Sequence, residues 1–304
     1  MIPNAEIRMN VLGMEILSLN VNVFYALNEV NMFKILAMSD IHLNFDINNG
    51  VRRKFFNSIR KAKCPIIITG DIGDGRSLES NLKDLSEACN GFPVYFITGN
   101  HDYYHSSFER TDEIIHLSVK NFPNLVYLSE SSPIRLDEET CLIGVDSWYD
   151  AKIIPEGTYL NMLMNDFRYI ENLSLIKKSR QEVIKSFQKR ASDALKDLKE
   201  ILSEAVKKYK NIIITSHPLP FGCMEVVKGS DASPFYIWHE AGLFIADFSK
   251  NNPRNEFLWL CGHTHSRSEW HNENLNVYCL GSQYYFPRID GIITDMRFEY
   301  ETVK

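Results

Sequence analysis

Five short clusters of Asp, Asn and His carry the chemistry of this chain. They are Ser39-Asp40-Ile41-His42, Gly70-Asp71-Ile72-Gly73-Asp74, Gly99-Asn100-His101-Asp102, Ser216-His217 and Gly262-His263-Thr264-His265. Five of the nine histidines lie in these clusters, and scattered packing histidines would not sort that way. Imidazole and carboxylate donors without thiolate suit Mn, Fe, Ni, Co or Zn rather than a structural cysteine-bound zinc. Taken singly, D-x-H after a strand is most often a turn with a helix cap and GD a turn, whereas GH-x-H is the stronger signal. In Gly262-His263-Thr264-His265, strand-like backbone would aim both imidazoles to one side, as two ligands require.

Each cluster follows a short apolar run of strand length. These runs are Phe33–Met38, Pro65–Thr69, Val94–Thr98, Asn211–Thr215 and Phe257–Cys261. Further runs are Leu142–Val145, Val277–Leu280 and an alternating stretch near Ile292–Tyr300. Helix-compatible segments such as Val51–Ala62 and Ser77–Cys89 lie between the early runs. Continuous apolar strands separated by helices predict an α/β fold with covered sheets. Ligands in such folds bind at the carboxyl ends of strands, so five strands are expected to deliver these donors to one rim. Leu125–Ser129 and Ile134–Asp137 read as a β-meander in mid-chain.

Glu171–Lys210 differs, because Ile176, Val183, Ile184, Phe187, Ala191, Leu195, Leu198, Leu202 and Val206 recur at three- and four-residue spacing. This predicts one long or broken amphipathic helix whose apolar stripe packs on a sheet. Pro155, Gly157 and the stretch before the helix read as an irregular loop. The expected division is an N-terminal extension over residues 1–31 and one domain over 32–304, with a helical insertion at about 151–210. The extension reads as a hairpin or a leader, and Met32 as an alternative natural start. Val11–Leu27 carries Glu15, Asn20 and Asn22 and is too short for a membrane span. No basic leader region or cleavage site accompanies it, so no membrane association is expected.

Composition bounds the rest. The 304 residues are 44% hydrophobic and 24% charged, which excludes wholesale disorder. A net charge of -6 gives no global pull on nucleic acid, so a nucleic-acid partner is possible but not favoured. Six cysteines without a C-x-x-C pair, four of them beside or within apolar runs, predict free thiols in a reducing, cytoplasmic setting.

The ordered set D-x-H, GD-x-x-[DN], GNH-[DE], a lone strand-end His and GH-x-H resembles the calcineurin-like metallophosphoesterase superfamily. The resemblance covers about residues 34–290. Trp148, Asn165-Asp166-Phe167-Arg168-Tyr169-Ile170 and the helix before Asn211 resemble a prokaryotic or phage branch of it. The resemblance implies a four-layer α/β/β/α sandwich of two mixed sheets with a dinuclear metal site in its loops. One ion is implied at Asp40, His42 and His265, the other at Asn100, His217 and His263, with Asp71 bridging. Two divalent ions, Mn above the others, would share a bridging hydroxide as nucleophile and clamp a phosphate. Four positive charges less Asp40, Asp71 and the hydroxide leave about +1, which suits an anionic phosphoryl group.

By the same resemblance, His101 faces the substrate and assists the leaving group. Asp102 is a candidate to orient His101, and Asp74 fills an outer position of the second motif. His105, His116, His239 and His271 match no ligand slot, and Cys261 reads as a buried strand residue. Protein phosphatases of the superfamily resemble GD-x-V-D-R-G at the second motif; here Gly75 stands in the Arg place and Arg76 one place late. The lipid-A-type hydrolases often lack a His in the third motif. Nucleases of the superfamily add a DNA-binding cap and a longer C-terminal arm, whereas 39 residues follow His265. A small phosphodiester, phosphomonoester or nucleotide is therefore the expected substrate. A catalytically silent interaction scaffold is the competing reading, and nuclease activity a further one. Tyr103, Tyr104, Asp166, Arg168 and Arg267 are the rim candidates for substrate contact.

Overall fold

The computed structural model describes residues 9–11, 14–16, 33–152, 164–224 and 233–301. Met9–Val11 (β1) and Met14–Ile16 (β2) form an antiparallel pair, one of the two forms expected of the extension. The loop expected around Pro155 and Gly157 lies outside the described residues.

Two six-stranded mixed sheets make up the rest. The first contains Lys34–Met38 (β3), Ile66–Thr69 (β4), Val94–Ile97 (β5) and Leu125–Tyr127 (β6), all parallel. The second contains Ile134–Arg135 (β7), Thr140–Gly144 (β8), Asn211–Thr215 (β9), Glu256–Cys261 (β10), Ser268–Asn272 (β11) and Leu275–Cys279 (β12). There β8, β9, β10 and β12 are parallel, with β7 and β11 antiparallel at the edges. Gly291–Thr294 (β13) and Arg297–Tyr300 (β14) return as a hairpin that pairs antiparallel with β3.

Both faces of the central strands are apolar because both are covered. On β3, β4 and β5, Leu36, Met38, Ile66, Ile68, Val94 and Phe96 form one core with the helices Asn49–Ala62, Leu78–Cys89 and Phe108–Asn121. On β9 and β10, Ile212, Ile214, Phe257 and Trp259 form another with Val183, Phe187, Leu198 and Leu202 of the helix Arg180–Lys208. The alternate residues Ile35, Ala37, Ile67, Ile213, Leu258 and Leu260 are also buried, as two sheets packed face to face require. The result is the expected α/β/β/α sandwich.

Two local expectations fail. Leu125–Tyr127 and Ile134–Arg135 are not a meander: they join opposite sheets, separated by the short helix Leu128–Ser131. Periodicity sees an apolar run but not which edge it completes. The long helical segment is of the broken form: a 3-10 turn over Glu171–Leu173 precedes the helix proper, which starts at Arg180 because Ser179 and Glu182 form a reciprocal capping box. Ile176 therefore falls outside the helix and is 94% exposed instead of joining the stripe.

Candidate metal centre

The parallel strands all end on one rim, and the five clusters are the loops that leave it. Asp40 and His42 follow β3, Asp71 follows β4, Asn100 follows β5, His217 follows β9, and His263 and His265 follow β10. Their donor atoms converge into two groups. Asp40, His42, Asp71 and His265 lie within 4.8 Å of one another, as do Asp71, His217 and His263. Asp71 is shared by both. Asn100 joins the second group through its Oδ1, 3.2 Å from His217 Nε2.

These spacings suit cations. Two donors each about 2.1 Å from one ion stand about 3.0–4.2 Å apart. His42 Nε2 and His265 Nε2 are 3.3 Å apart, His265 Nε2 and Asp40 Oδ1 3.7 Å, and His217 Nε2 and Asp71 Oδ1 3.4 Å. Asp71 Oδ2 is buried without a hydrogen-bond partner, with His42 Nε2 at 3.6 Å and His101 Nε2 at 4.0 Å. A buried carboxylate oxygen rarely stands orphaned unless something else compensates it. A cation held by that oxygen and its neighbours would do so.

Carbonyl groups fix the rings. His217 Nδ1 donates to Thr69 O and His265 Nδ1 to Ser282 O, both at 2.8 Å, which turns each Nε2 toward the cluster. His263 instead donates Nε2 to Phe235 O at 2.9 Å, which turns Nδ1 inward. Burial pushes the His42 imidazole well below its ordinary value and His263 down to about 3, so both stay neutral. Burial opposes charge on Asp71 and His217 too, yet each outweighs it for the other. Asp71 is held well below the usual carboxylate range and His217 is raised to about 10.

The backbone is strained at the same positions. Asp40, His42, Asp71, His263 and His265 all have φ between 41° and 75°. Each such left-handed non-glycine residue costs of order 1–3 kcal/mol and persists only where its surroundings enforce it. Gly99 serves the same packing: a Cβ there would collide with Asp71 Oδ1 and crowd His217. Strand-like backbone, expected to aim His263 and His265 to one side, is therefore absent. They lie beyond β10 with φ of 75° and 55°, and they serve different groups: His263 stands with His217, His265 with Asp40 and His42.

The remaining sequence candidates sort clearly. His101 is partly exposed at the mouth of the cluster, stacked on Tyr104 at 4.1 Å, while its backbone N–H donates to Asp71 Oδ1. Asp102 does not orient His101. It is fully buried and its two oxygens accept from the N–H groups of Gly73 and Gly99, which ties the second and third loops together. Burial raises its carboxyl to about 8. Asp74 bonds Arg76 and Ser77, bracing the entry to the helix Leu78–Cys89 and touching none of the clustered donors.

Most rim candidates are engaged by other protein groups. Tyr103 and Tyr104 are buried, and Arg267 donates to the carbonyls of Glu301 and Asp290. Arg168 is exposed but lies over the ring of Tyr169. Asp166 is wholly buried and accepts from Asn100 Nδ2 at 2.7 Å, Tyr104 OH at 2.8 Å and Tyr149 OH at 2.8 Å. It thereby fixes the Asn100 amide with nitrogen toward itself and oxygen toward His217. Asp166→Asn is expected to weaken divalent-ion binding 10–100-fold, as for other groups that orient a ligand. Metal titration followed calorimetrically measures this, and unchanged affinity would leave Asp166 with packing alone.

Two residues near the cluster were missed from sequence. Tyr149 follows β8, and Tyr284, whose ring centroid is 4.3 Å from that of His265, follows β12. Both lie beyond the ends of parallel strands, so reading those ends for aromatics as well as for donors would have found them.

A two-sheet sandwich with a paired Asp/His/Asn cluster at its strand ends defines the metallophosphoesterase class. Residues 33–267 match the family described as calcineurin-like phosphoesterase, and the chain belongs to that family of metal-dependent hydrolases. A Danio rerio protein named "transmembrane protein with metallophosphoesterase domain" is 26% identical over 121 residues, 38% of this chain and 28% of that protein. Its Bos taurus namesake is 29% identical over 123 residues, with the same coverage. The match thus spans less than a third of these relatives. Among the described residues no helix is long and apolar enough to cross a membrane.

Two solved structures share the fold. A phosphopantetheinyl hydrolase from Mycobacterium tuberculosis aligns over 84% of this chain and 95% of its own, with a TM-score of 0.54 and 13% identity. A dimetal phosphatase from Danio rerio aligns over 86% and 95%, with a TM-score of 0.53 and 13% identity.

Proposed function

We propose that this protein hydrolyses a small phosphodiester or phosphomonoester, with nucleotides among its candidate substrates. The single observation that carries the proposal is Asp71, a buried carboxylate shared by two donor groups with one oxygen left unpartnered. In this reading Asp40, His42 and His265 would hold one divalent ion and Asn100, His217 and His263 a second, with Asp71 shared between them. Such a pair, with Mn the ion favoured to support activity, would supply a hydroxide nucleophile at neutral pH and positive charge for the phosphoryl oxygens.

The chain's own residues do the rest. Asp40 accepts the His263 backbone N–H at 3.1 Å on both oxygens, binding the first loop to the fifth. Carbonyls hold His217 and His265 with their free nitrogens inward. His101, at the solvent side, would give a proton to the departing oxygen. The six cysteines are free thiols, which supports a reducing, cytoplasmic setting.

A substrate panel tests the proposal. Bis(p-nitrophenyl) phosphate, p-nitrophenyl phosphate, cyclic nucleotides and single-stranded DNA are offered with Mn²⁺, Zn²⁺, Fe²⁺, Ni²⁺ or Co²⁺. Hydrolysis of at least one small ester is expected with Mn²⁺, falling to background on chelation and returning when the ion is restored. Turnover indifferent to chelator would reject the metal-dependent reading.

A further inference from the structure

Seven large hydrophobic residues are exposed among the described residues, and three of them, Tyr284, Tyr285 and Phe286, are consecutive. They lie in the loop that follows β12, beside the metal centre. Phe286 N–H donates to Gln283 O at 2.9 Å, closing a tight turn with Tyr284 and Tyr285 at its tip. Tyr285 has a φ of 68°, a conformation that bulky side chains rarely adopt. The strained residue keeps about half of its surface in solvent, and such outliers cluster at ligand sites.

The turn is anchored to the centre. Gln283 Nε2 donates to His265 O at 2.7 Å, and Ser282 O accepts from His265 Nδ1. The Tyr284 ring lies 4.3 Å from the His265 ring and 4.8 Å from His42, yet Tyr284 stays 39% exposed. Phe45, from the loop after β3, meets Tyr284 and Tyr285 edge-on at 5.1 Å each. These three rings form a wall on the Asp40–His42–His265 side of the cluster. Tyr285 is 49% exposed, so the wall is open to an incoming molecule.

We infer that Phe45, Tyr284 and Tyr285 form a stacking platform for a planar aromatic group on the phosphoester, either a nucleobase or an aryl alcohol. This rests on the phosphoesterase reading and narrows its substrate class. An aromatic face binds any planar ring by stacking, whatever its hydrogen-bonding edge. The stacking surface begins one side chain away from the donors that would take the phosphoryl group. An aliphatic alcohol of equal size would cover the wall without the stacking contact.

Matched pairs test this. Adenosine 5′-phosphate against ribose 5-phosphate isolates the base, and phenyl phosphate against cyclohexyl phosphate isolates the aryl ring. Binding is measured by calorimetry with Mn²⁺ present, and kcat/KM wherever turnover occurs. The aromatic member of at least one pair is expected to bind about tenfold tighter, a conservative share of the usual stacking effect. Tyr284→Ala should cut that ratio to about one, while Tyr284→Phe should keep it within about twofold. Preference confined to the first pair identifies a base, and preference in both identifies any flat ring. Equal binding within both pairs, or equal losses for both members on Tyr284→Ala, would overturn the platform. Binding discrimination without turnover of any ester would keep the platform and reject the hydrolase reading.

Discussion

Asp71→Asn is expected to lower phosphoester hydrolysis by about three orders of magnitude or more and to leave the protein with fewer than two bound ions. The change removes one negative charge and almost no volume. Asp71 is 1% exposed and lies in both donor groups, so no neighbour can take its place. A metal pair contributes several kcal/mol to charge stabilisation in the transition state, and each 1.36 kcal/mol is tenfold in rate. His217 should respond as well. In the metal-free protein its proton is held chiefly by Asp71 against the cost of burial, so there the variant should lower its titration from about 10 toward the range that burial imposes. Activity assays with metal analysis by mass spectrometry, and NMR titration of His217, read these effects. Full activity with two bound ions would refute the shared-carboxylate arrangement.

His101→Ala is expected to cost about 10²–10⁴-fold in kcat while two ions per chain remain bound. The separation is possible because His101 contributes two different things. Its backbone N–H braces Asp71 Oδ1 at 2.9 Å, and alanine retains that bond. Its imidazole, stacked on Tyr104 at the solvent side, is what the substitution deletes. If the imidazole protonates the departing oxygen, the defect should shrink for p-nitrophenyl esters, whose leaving group needs little help, and be largest for alkyl esters. A uniform loss across leaving groups would assign His101 to phosphate binding instead. Loss of metal would make it a ligand.

Asp102 shows why adjacency in sequence is a weak guide to roles. It follows His101, yet its carboxylate binds Gly73 and Gly99 in two different loops. Asp166 shows the converse. It lies 66 residues from Asn100 in the chain and still sets the direction of that amide. Neither relation leaves a trace in spacing or composition: the Asp102 bonds join loops that leave neighbouring strands of one sheet, and the Asp166–Asn100 bond joins segments that follow strands of different sheets.

The sequence by itself determined the strands, the helices between them and the positions where donors leave strand ends, because apolar runs and polar turn clusters are local properties of the chain. It also determined which residue types stand at the rim, and so the class of chemistry. Tertiary structure alone supplied the left-handed backbone at His263 and His265 that puts two near neighbours into different donor groups. It alone placed Asp166 behind Asn100 and carried Tyr284 to within 4.3 Å of His265. Strain of that kind is imposed by packing from outside the segment, so a chain's local preferences cannot reveal it.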